Sequence, residues 1–222
     1  MNSSTIKAVL LSAGPGKRLR PISNYLPKNM LSIAGKPILQ YIIEDLKNAG
    51  IKDIGIVVSH FKKEIIDYFG NGRRFGVRIT YIDQKNPHGT AHAILATRSF
   101  VKDKPFLVYL ADTLIPDGLI PFVNRVSKIK KGNLLMVSSL PKKELKQAGV
   151  VEIDGTNIIK LQEKSKNPSS NLAIAGVYYF NSDNLFDVIK QLPAGRQNEI
   201  QITDAVQSLI DMVKLYAFSK LK

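Results

Sequence analysis

The 222-residue sequence contains no cysteine and no tryptophan, and no apolar stretch in it approaches the length of a membrane-spanning helix. Without cysteine, the chain can form no disulfide, no thiolate nucleophile and no cysteine-based metal centre. A bilayer crossing needs about 20 apolar residues. The N-terminal Met1-Asn2-Ser3-Ser4 also lacks the apolar region of a signal peptide. We therefore expect a cytoplasmic protein with no membrane partner.

Basic side chains outnumber acidic ones by 32 to 18, which gives a net charge of +14 at neutral pH. Such an excess is typical of proteins that bind nucleic acids, anionic membranes or small phosphorylated ligands. Nucleic-acid binding usually shows clustered basic residues, whereas the basic pairs here are spread along the chain, which argues against a nucleic-acid partner. We expect most of these side chains to be solvated and a few to bind phosphate.

Strand-like and helix-like segments alternate through the first half of the chain, a pattern typical of βαβ units. Strands are predicted at residues 6–11, 53–58, 77–82 and 106–110, and helices at 38–49, 62–69 and 90–98. The second half instead predicts a hairpin around 154–155, a strand at 173–180, and helices at 183–191 and 203–212 with Thr203 as N-cap. The expected fold is one α/β domain over residues 1–222. It has a Rossmann-like, mostly parallel sheet flanked by helices and a small antiparallel layer.

A glycine-rich loop follows the first strand, in the segment Leu11-Ser12-Ala13-Gly14-Pro15-Gly16-Lys17-Arg18-Leu19-Arg20-Pro21. Glycines after a strand allow a tight turn whose backbone N–H groups can point at an anion. The guanidinium of Arg18 offers a planar fork that suits phosphate oxygens. The loop lacks the Gly-Lys-Ser/Thr ending of a Walker A motif and the third glycine of a dinucleotide-binding fingerprint, so both of those motifs are excluded.

This loop, together with Lys28 in Leu26-Pro27-Lys28 and the run at 31–38, resembles the signature of the sugar-phosphate nucleotidyltransferase family. The family includes glucose-1-phosphate thymidylyltransferases and uridylyltransferases. The resemblance implies transfer of a nucleotidyl group from a nucleoside triphosphate, with dTTP or UTP favoured, to a sugar-1-phosphate, with glucose-1-phosphate favoured. GTP with mannose-1-phosphate stays open, as does a non-catalytic subunit that binds nucleotide or sugar phosphate.

The resemblance assigns Arg18 to the β and γ phosphates, Lys28 to the space between nucleotide and sugar phosphates, and Asp112 to Mg²⁺. These three are the implied catalytic residues, and a carboxylate at a strand end suits that metal. The implied nucleotide-binding residues are Leu11, Ala13, Gly14, Gly16, Lys17, Arg18, Gln84, Gly89 and Thr90. An amide such as that of Gln84 can pair with one edge of a base. We interpret His92 as structural, since a phosphate nucleophile is already anionic and needs no general base.

On the sugar side, the resemblance assigns Gly149, Glu163, Lys164 and Gly176 to the sugar phosphate, while Asp204 is interpreted as structural. Residues 1–140 would then bind mainly the nucleotide and residues 141–222 mainly the sugar. Family members normally continue into a Trp-x-Asp-x-Gly segment whose aspartate is a second metal ligand. The sequence ends where that segment would begin. The sequence is then either a truncated form of the catalytic domain or a natural short form that lacks one metal ligand. Full activity and a homo-oligomeric state both stay open.

Overall fold

The computed structural model describes residues 6–85, 88–102, 104–181, 184–193, 195, 199–210, 212–213 and 215–218. The elements of the first half are β1 (Lys7–Leu11), β2 (Ser32–Ile33), β3 (Lys36–Pro37), α1 (Ile38–Asn48), β4 (Asp53–Val58), α2 (Lys62–Phe69), β5 (Arg78–Asp83), α3 (Thr90–Leu95), α4 (Arg98–Val101) and β6 (Phe106–Leu110). Those of the second half are α5 (Ile120–Val126), β7 (Asn133–Ser139), α6 (Lys142–Leu145), β8 (Gly149–Asp154), β9 (Asn157–Glu163), β10 (Leu172–Phe180), α7 (Leu185–Gln191), α8 (Ile202–Ile210) and β11 (Leu215–Phe218).

Nine of these strands form one sheet in the order β5-β4-β1-β6-β10-β7-β11-β9-β8. The first four are mutually parallel, whereas β10 runs antiparallel to both β6 and β7. β11 is parallel to β7, and β9 is antiparallel to β11 and to β8. The predicted α/β class is confirmed. The prediction of a mostly parallel sheet is wrong beyond β6, because β10 enters beside β6 in the opposite direction. The antiparallel strands continue the same sheet and do not form a separate layer.

The register of β1 brings together the loops that follow three parallel strands. Leu11, the last residue of β1, is aligned with Val57 on β4 and with Leu110 on β6. Because the carboxyl ends of parallel strands meet at one edge of a sheet, the segments after β1, β4 and β6 open on the same side. Ligands bind at this edge in open α/β sheets.

The two faces of the sheet are covered by two apolar clusters. Ala8 and Leu10 of β1 point into one cluster, and Val9 and Leu11 into the other, as the two-residue period of a strand requires. Helix α1 contributes a fully buried stripe to the first cluster, spaced by three, one and three residues as on one helix face: Leu39, Ile42, Ile43 and Leu46. Helices α3, α7 and α8 cover the second face.

Several predicted elements differ from those observed. The helix predicted at 90–98 is divided into α3 and α4, with the Thr97 hydroxyl donating to the Ile94 carbonyl at 2.7 Å between them. The N-cap assigned to Thr203 is wrong. Helix α8 already begins at Ile202, and the buried Thr203 hydroxyl has no hydrogen-bond partner among the residues that the structure describes. Strands β7 and β11 were not predicted. The predicted helix start at residue 183 lies outside the described residues.

Among the residues that the structure describes, no helix combines the length and the apolar character that a bilayer crossing requires.

Candidate active site

A cleft of about 490 Å³ opens at the carboxyl ends of β1 and β6. The residues that line it are Leu11, Ala13, Gly14, Pro15, Lys17, Lys28, His60, Gln84, Gly89, Thr90, Ala93, Leu110, Asp112, Glu199 and Gln201. The cleft therefore gathers most of the residues predicted to bind nucleotide, from segments far apart in the chain. Gly16 and the exposed Arg18 belong to the same loop but do not line the cleft.

Hydrogen bonds to two of its carbonyls hold the glycine loop in place. The Ser59 hydroxyl donates to the Ala13 carbonyl at 3.0 Å, and the Ser23 hydroxyl donates to the Gly16 carbonyl at 2.9 Å. Gly16 has a φ of +62°, a left-handed conformation that glycine adopts without strain. A Cβ atom on Gly14 would lie 3.6 Å from Lys28 Nζ, so the ammonium sits against the loop backbone.

Lys28 and Asp112 form an ion pair at the cleft, with Lys28 Nζ donating to Asp112 Oδ2. The adjacent Asn29 is buried and donates through Nδ2 to the Ser12 hydroxyl, which fixes the turn that carries Lys28. Ala111 N donates to the Leu11 carbonyl at 3.3 Å, which fixes the start of the loop that carries Asp112. The two side chains are 25% and 36% exposed, so both can reach a ligand in the cleft.

Asp112 is a single carboxylate, and the described residues contain no group of three or more His, Asp or Glu side chains that could enclose a metal ion. Mg²⁺ commonly binds proteins through one or two carboxylates, with substrate phosphates and water completing its octahedron. The donor set here therefore fits Mg²⁺ when a phosphate ligand shares the coordination, and does not form a closed protein cage.

Gln84 is buried, with 3% of its surface exposed. Its Nε2 contacts His92 Nδ1 at 2.9 Å and donates to the Gly89 carbonyl at 3.5 Å. Since an amide nitrogen can only donate, His92 Nδ1 must be unprotonated to accept this bond. Both contacts use the amide nitrogen, and no described residue donates to Oε1. The amide is thus held in one orientation with its acceptor atom unused.

Burial, and secondarily the charge of His88, lower the pKa of His92. A depressed folded-state pKa means that the unfolded chain takes up the proton first. Stability is therefore full above the ordinary histidine pKa of about 6.5 and is lost as the pH falls from there through the folded-state value. We expect the free energy of unfolding to decrease between pH 6.5 and pH 5, with a shallower decrease in His92→Asn. Urea denaturation at several pH values measures both slopes, and equal slopes would contradict the prediction.

A backbone clamp joins Gly89 to the segment before α8. Ile200 N donates to the His88 carbonyl at 2.9 Å, and Ala91 N donates to the Ile200 carbonyl at 3.0 Å. Gly89 lies between these two bonds with φ +94° and ψ 177°, a region that only glycine occupies without strain. A Cβ atom at this position would lie 2.4 Å from the Ile200 carbonyl oxygen. The glycine is therefore required by two independent features of the backbone.

Thr90 continues this connection through its side chain. Its hydroxyl accepts from Ile202 N at 2.8 Å and lies 3.1 Å from Gln201 Oε1, to which it donates. Gln201 Nε2 in turn donates to Glu199 Oε2 at 2.8 Å. One wall of the cleft is thus built from the start of α3 and the start of α8 together.

None of the residues predicted to bind the sugar phosphate lines the cleft. Gly149 and Glu163 are paired across β8 and β9, and Glu163 forms an ion pair with Lys164, whose Nζ lies 3.1 Å from Glu163 Oε1. A Cβ atom on Gly149 would lie 2.9 Å from Thr203 Cγ2, which places this pair near the first turn of α8.

Gly176, on β10, lies next to the loop that carries Asp112. Its φ is +71°, and a Cβ atom there would lie 2.8 Å from Thr113 Oγ1. It therefore packs against the loop that carries Asp112, at the bulge where the pairing of β10 with β7 shifts register.

Six of the lining residues were not predicted as site residues: Pro15, His60, Ala93, Leu110, Glu199 and Gln201. His60 follows β4 at the sheet edge where Asp112 also lies. Because ligands bind at the carboxyl ends of the strands in open α/β sheets, this residue could have been identified from the sequence. Glu199 and Gln201 lie in a segment, residues 199–204, that resembles the family but was given no binding role. Hydrogen bonds from this segment to the residues around Gly89 bring both side chains to the cleft. Asp204 Oδ2 accepts from Gln201 N at 3.2 Å and so supports the start of α8.

Comparison with known proteins gives a consistent result. Residues 7–222 match the family described as "Nucleotidyl transferase". The chain is 40% identical over 208 residues to the low-salt glycan biosynthesis nucleotidyltransferase Agl11 of Haloferax volcanii, covering 93% of this chain and 57% of that protein. It is 37% identical over 207 residues to a glucose-1-phosphate thymidylyltransferase of Streptomyces griseus, covering 93% of this chain and 58% of that protein.

Among solved structures, the chain resembles a UDP-glucose pyrophosphorylase in complex with UDP-glucose, with a TM-score of 0.86 and 28% sequence identity. That similarity covers 96% of this chain and 90% of the solved one. The chain spans just under three fifths of the length of the two curated relatives named above.

Proposed function

Because the chain belongs to the nucleotidyl transferase family, we propose that it transfers a nucleotidyl group from a nucleoside triphosphate to a sugar-1-phosphate. An oxygen of the sugar phosphate attacks the α-phosphorus, and a new P–O bond forms there. The bond from the α-phosphorus to the bridging oxygen breaks, and pyrophosphate leaves with that electron pair. The products are an NDP-sugar and pyrophosphate, and the nucleophile needs no general base.

The observation that carries this proposal is the Lys28–Asp112 ion pair beside the glycine loop. Attack at the α-phosphorus builds negative charge on the equatorial and leaving oxygens, and a fixed cation stabilises that charge. Lys28 Nζ is held against Gly14 and is positioned for this role. Lys17 lies in the same cleft, and Arg18 would meet the distal phosphates by reaching in from the exposed side of the loop.

Asp112 would hold Mg²⁺ together with the phosphates of the nucleotide. When bound, the ion would supply positive charge to the phosphate oxygens. Without the ion, the carboxylate of Asp112 orients Lys28. We infer that nucleotide and metal separate this ion pair when they bind.

We assign recognition of the nucleotide's base to Gln84 and Gly89. The unused Oε1 of Gln84 can accept from an N–H group, and thymine and uracil both present a ring N–H next to a carbonyl. The names of the relatives support pyrimidine nucleotides: one is a glucose-1-phosphate thymidylyltransferase, and a structural neighbour is described with UDP-glucose. We propose dTTP or UTP with glucose-1-phosphate as the substrates.

The sugar phosphate is assigned to Gly149, Glu163, Lys164 and Gly176. A carboxylate such as that of Glu163 accepts hydrogen bonds from sugar hydroxyls, and the neighbouring Lys164 carries the charge to meet the phosphate. Gly176 leaves room beside the Asp112 loop where a side chain would collide with Thr113.

The test is pyrophosphate release with glucose-1-phosphate and Mg²⁺, run separately with dTTP, UTP, ATP, CTP and GTP, with arms that omit the sugar phosphate or the metal. We expect release that requires all components and is fastest with dTTP or UTP. Release with GTP and mannose-1-phosphate alone would reassign the substrates. Nucleotide binding without release under any condition would refute catalysis by this chain.

A further inference from the structure

A second concave site lies between helix α6 and the turn that follows β9. It is a cleft of about 440 Å³, lined by Lys142, Lys143, Lys146, Lys166, Asn167 and Pro168. No residue of this cleft lines the candidate active site. Four lysines therefore line one small volume, and the lining contains neither a carboxylate nor an aromatic ring.

These four lysines differ from most cations near them, because none forms an ion pair with any residue that the structure describes. By contrast, Lys160 pairs with Glu152 at 3.3 Å and Lys164 pairs with Glu163 at 3.1 Å on the adjacent strands. Lys142 begins α6 and Lys146 is its C-cap with helical backbone angles, so these two residues, four apart, lie on the same side of the turn and their like charges repel. The repulsion between these charges destabilises the ligand-free protein, and a bound anion would reduce that repulsion.

Both walls of the cleft are anchored. Leu145 of α6 is 1% exposed and packs with Val150 and Ala173, which fixes the helix on the sheet. On the other wall, Asn167 N donates to the Ser165 hydroxyl at 3.2 Å, and the Ser169 hydroxyl donates to Gln162 Oε1 at 3.0 Å. The four exposed lysines are thus carried by two anchored segments of backbone.

We propose that this lysine cleft binds an oligophosphate, a linear anion with at least two linked phosphate groups. Four positive charges exceed the charge of one phosphate, which is about −1.5 to −2 at neutral pH, and match two or three linked phosphates. Lysine is a compact point charge that recognises phosphate without the planar geometry that guanidinium imposes. The ligand is either inorganic or the oligophosphate portion of a larger molecule, and the cleft recognises the same chemistry in both.

The absence of aromatic side chains from this cleft argues against single-stranded nucleic acid, whose bases stack on aromatic rings in non-specific sites. The site is concave and confined to two short segments, whereas a nucleic acid or a membrane surface would contact an extended row of cations. The proposal is independent of nucleotidyl transfer, because it rests on residues outside the candidate active site.

The experiment is an NMR titration of the full chain with sodium tripolyphosphate, following the backbone amides of Lys146 and Asn167. These local signals separate binding at the lysine cleft from phosphate binding near Lys28. The test variant is Lys142→Gln/Lys146→Gln/Lys166→Gln, and the control is Lys52→Gln/Lys104→Gln/Lys128→Gln, which removes the same charge from exposed positions elsewhere. Parallel arms use inorganic phosphate, UTP and a short single-stranded RNA.

We expect saturable shifts in the wild type and the control, and roughly 100-fold weaker binding in the test variant, since each removed charge contributes on the order of a factor of five. Inorganic phosphate should bind far more weakly than tripolyphosphate. Saturation of the same amides by UTP would identify an organic source of the oligophosphate. Unshifted amides, equal affinities in the two variants, or tighter binding of RNA than of tripolyphosphate would each overturn the proposal.

Discussion

Replacing Lys28 by alanine is expected to lower the rate of pyrophosphate release by roughly 100- to 1,000-fold, the usual effect of removing one preorganised group that stabilises a developing anion. Lys28 Nζ lies against the glycine loop and pairs with Asp112, so the change removes the cation that we propose stabilises the reacting phosphates. The fold should tolerate it, because partly exposed ion pairs contribute about 1 kcal/mol or less to stability. Steady-state kinetics and thermal denaturation of the same preparation measure both effects.

The matched control is Lys63→Ala, which removes a lysine from an exposed ion pair with Asp67 on α2, away from the cleft. Its activity should equal that of the wild type. If Lys28→Ala retained near-normal turnover, or lost activity only in proportion to a loss of folded protein, the assignment of Lys28 would be wrong.

Gly89→Ala is expected to lower the free energy of unfolding by about 3 kcal/mol or more and to weaken nucleotide binding. The cost has two sources: a backbone conformation that side chains avoid, worth about 1–3 kcal/mol, and a direct collision with the Ile200 carbonyl. Ile200 is hydrogen-bonded to His88 and Ala91, the residues that flank Gly89. The collision must therefore displace the segment from which Glu199 and Gln201 line the cleft. Thermal denaturation should show a decrease in Tm of roughly 6–12 °C.

Gly35→Ala provides the control for this prediction. Gly35 has a similar φ of +84°, but a Cβ atom there would have no neighbour within 4 Å. Its cost should be limited to about 1–2 kcal/mol for the left-handed backbone. Equal losses of stability in the two variants would mean that the contact with Ile200 contributes nothing. Titration with a fluorescent nucleotide should show weakened binding for Gly89→Ala.

The parallel part of the fold was predictable because its signals are local. Strands β4 and β6 were predicted with their observed bounds, since buried parallel strands are continuous apolar runs between turn residues. The position of β10 was not predictable in the same way. Its sequence indicates a strand, but its pairing with β6 and β7 depends on contacts between distant residues, and so does its antiparallel direction.

In the candidate site too, the features with local sequence motifs were predictable and those that depend on distant contacts were not. The glycine loop, Gln84, Gly89 and Asp112 were identified from their motifs, and they converge on one cleft because their strands are parallel neighbours. The roles assigned to them stay predictions until they are tested by substitution. The hydrogen bonds that orient Gln84 through His92, and the clamp between Gly89 and Ile200, depend on side-chain and backbone geometry that spacing in the sequence does not encode.

The place of β10 in the sheet also affects how the chain folds during its synthesis. Once β6 has left the ribosome, β5, β4, β1 and β6 can pair with one another, yet the outer edge of β6 has no strand beside it until β10 emerges. At about 5–20 residues per second, that edge stays open for on the order of 10 seconds. An unpaired strand edge is a template for pairing with another chain. The nascent protein therefore exposes a strand edge that can pair with another chain from the time β6 is made until β10 covers it.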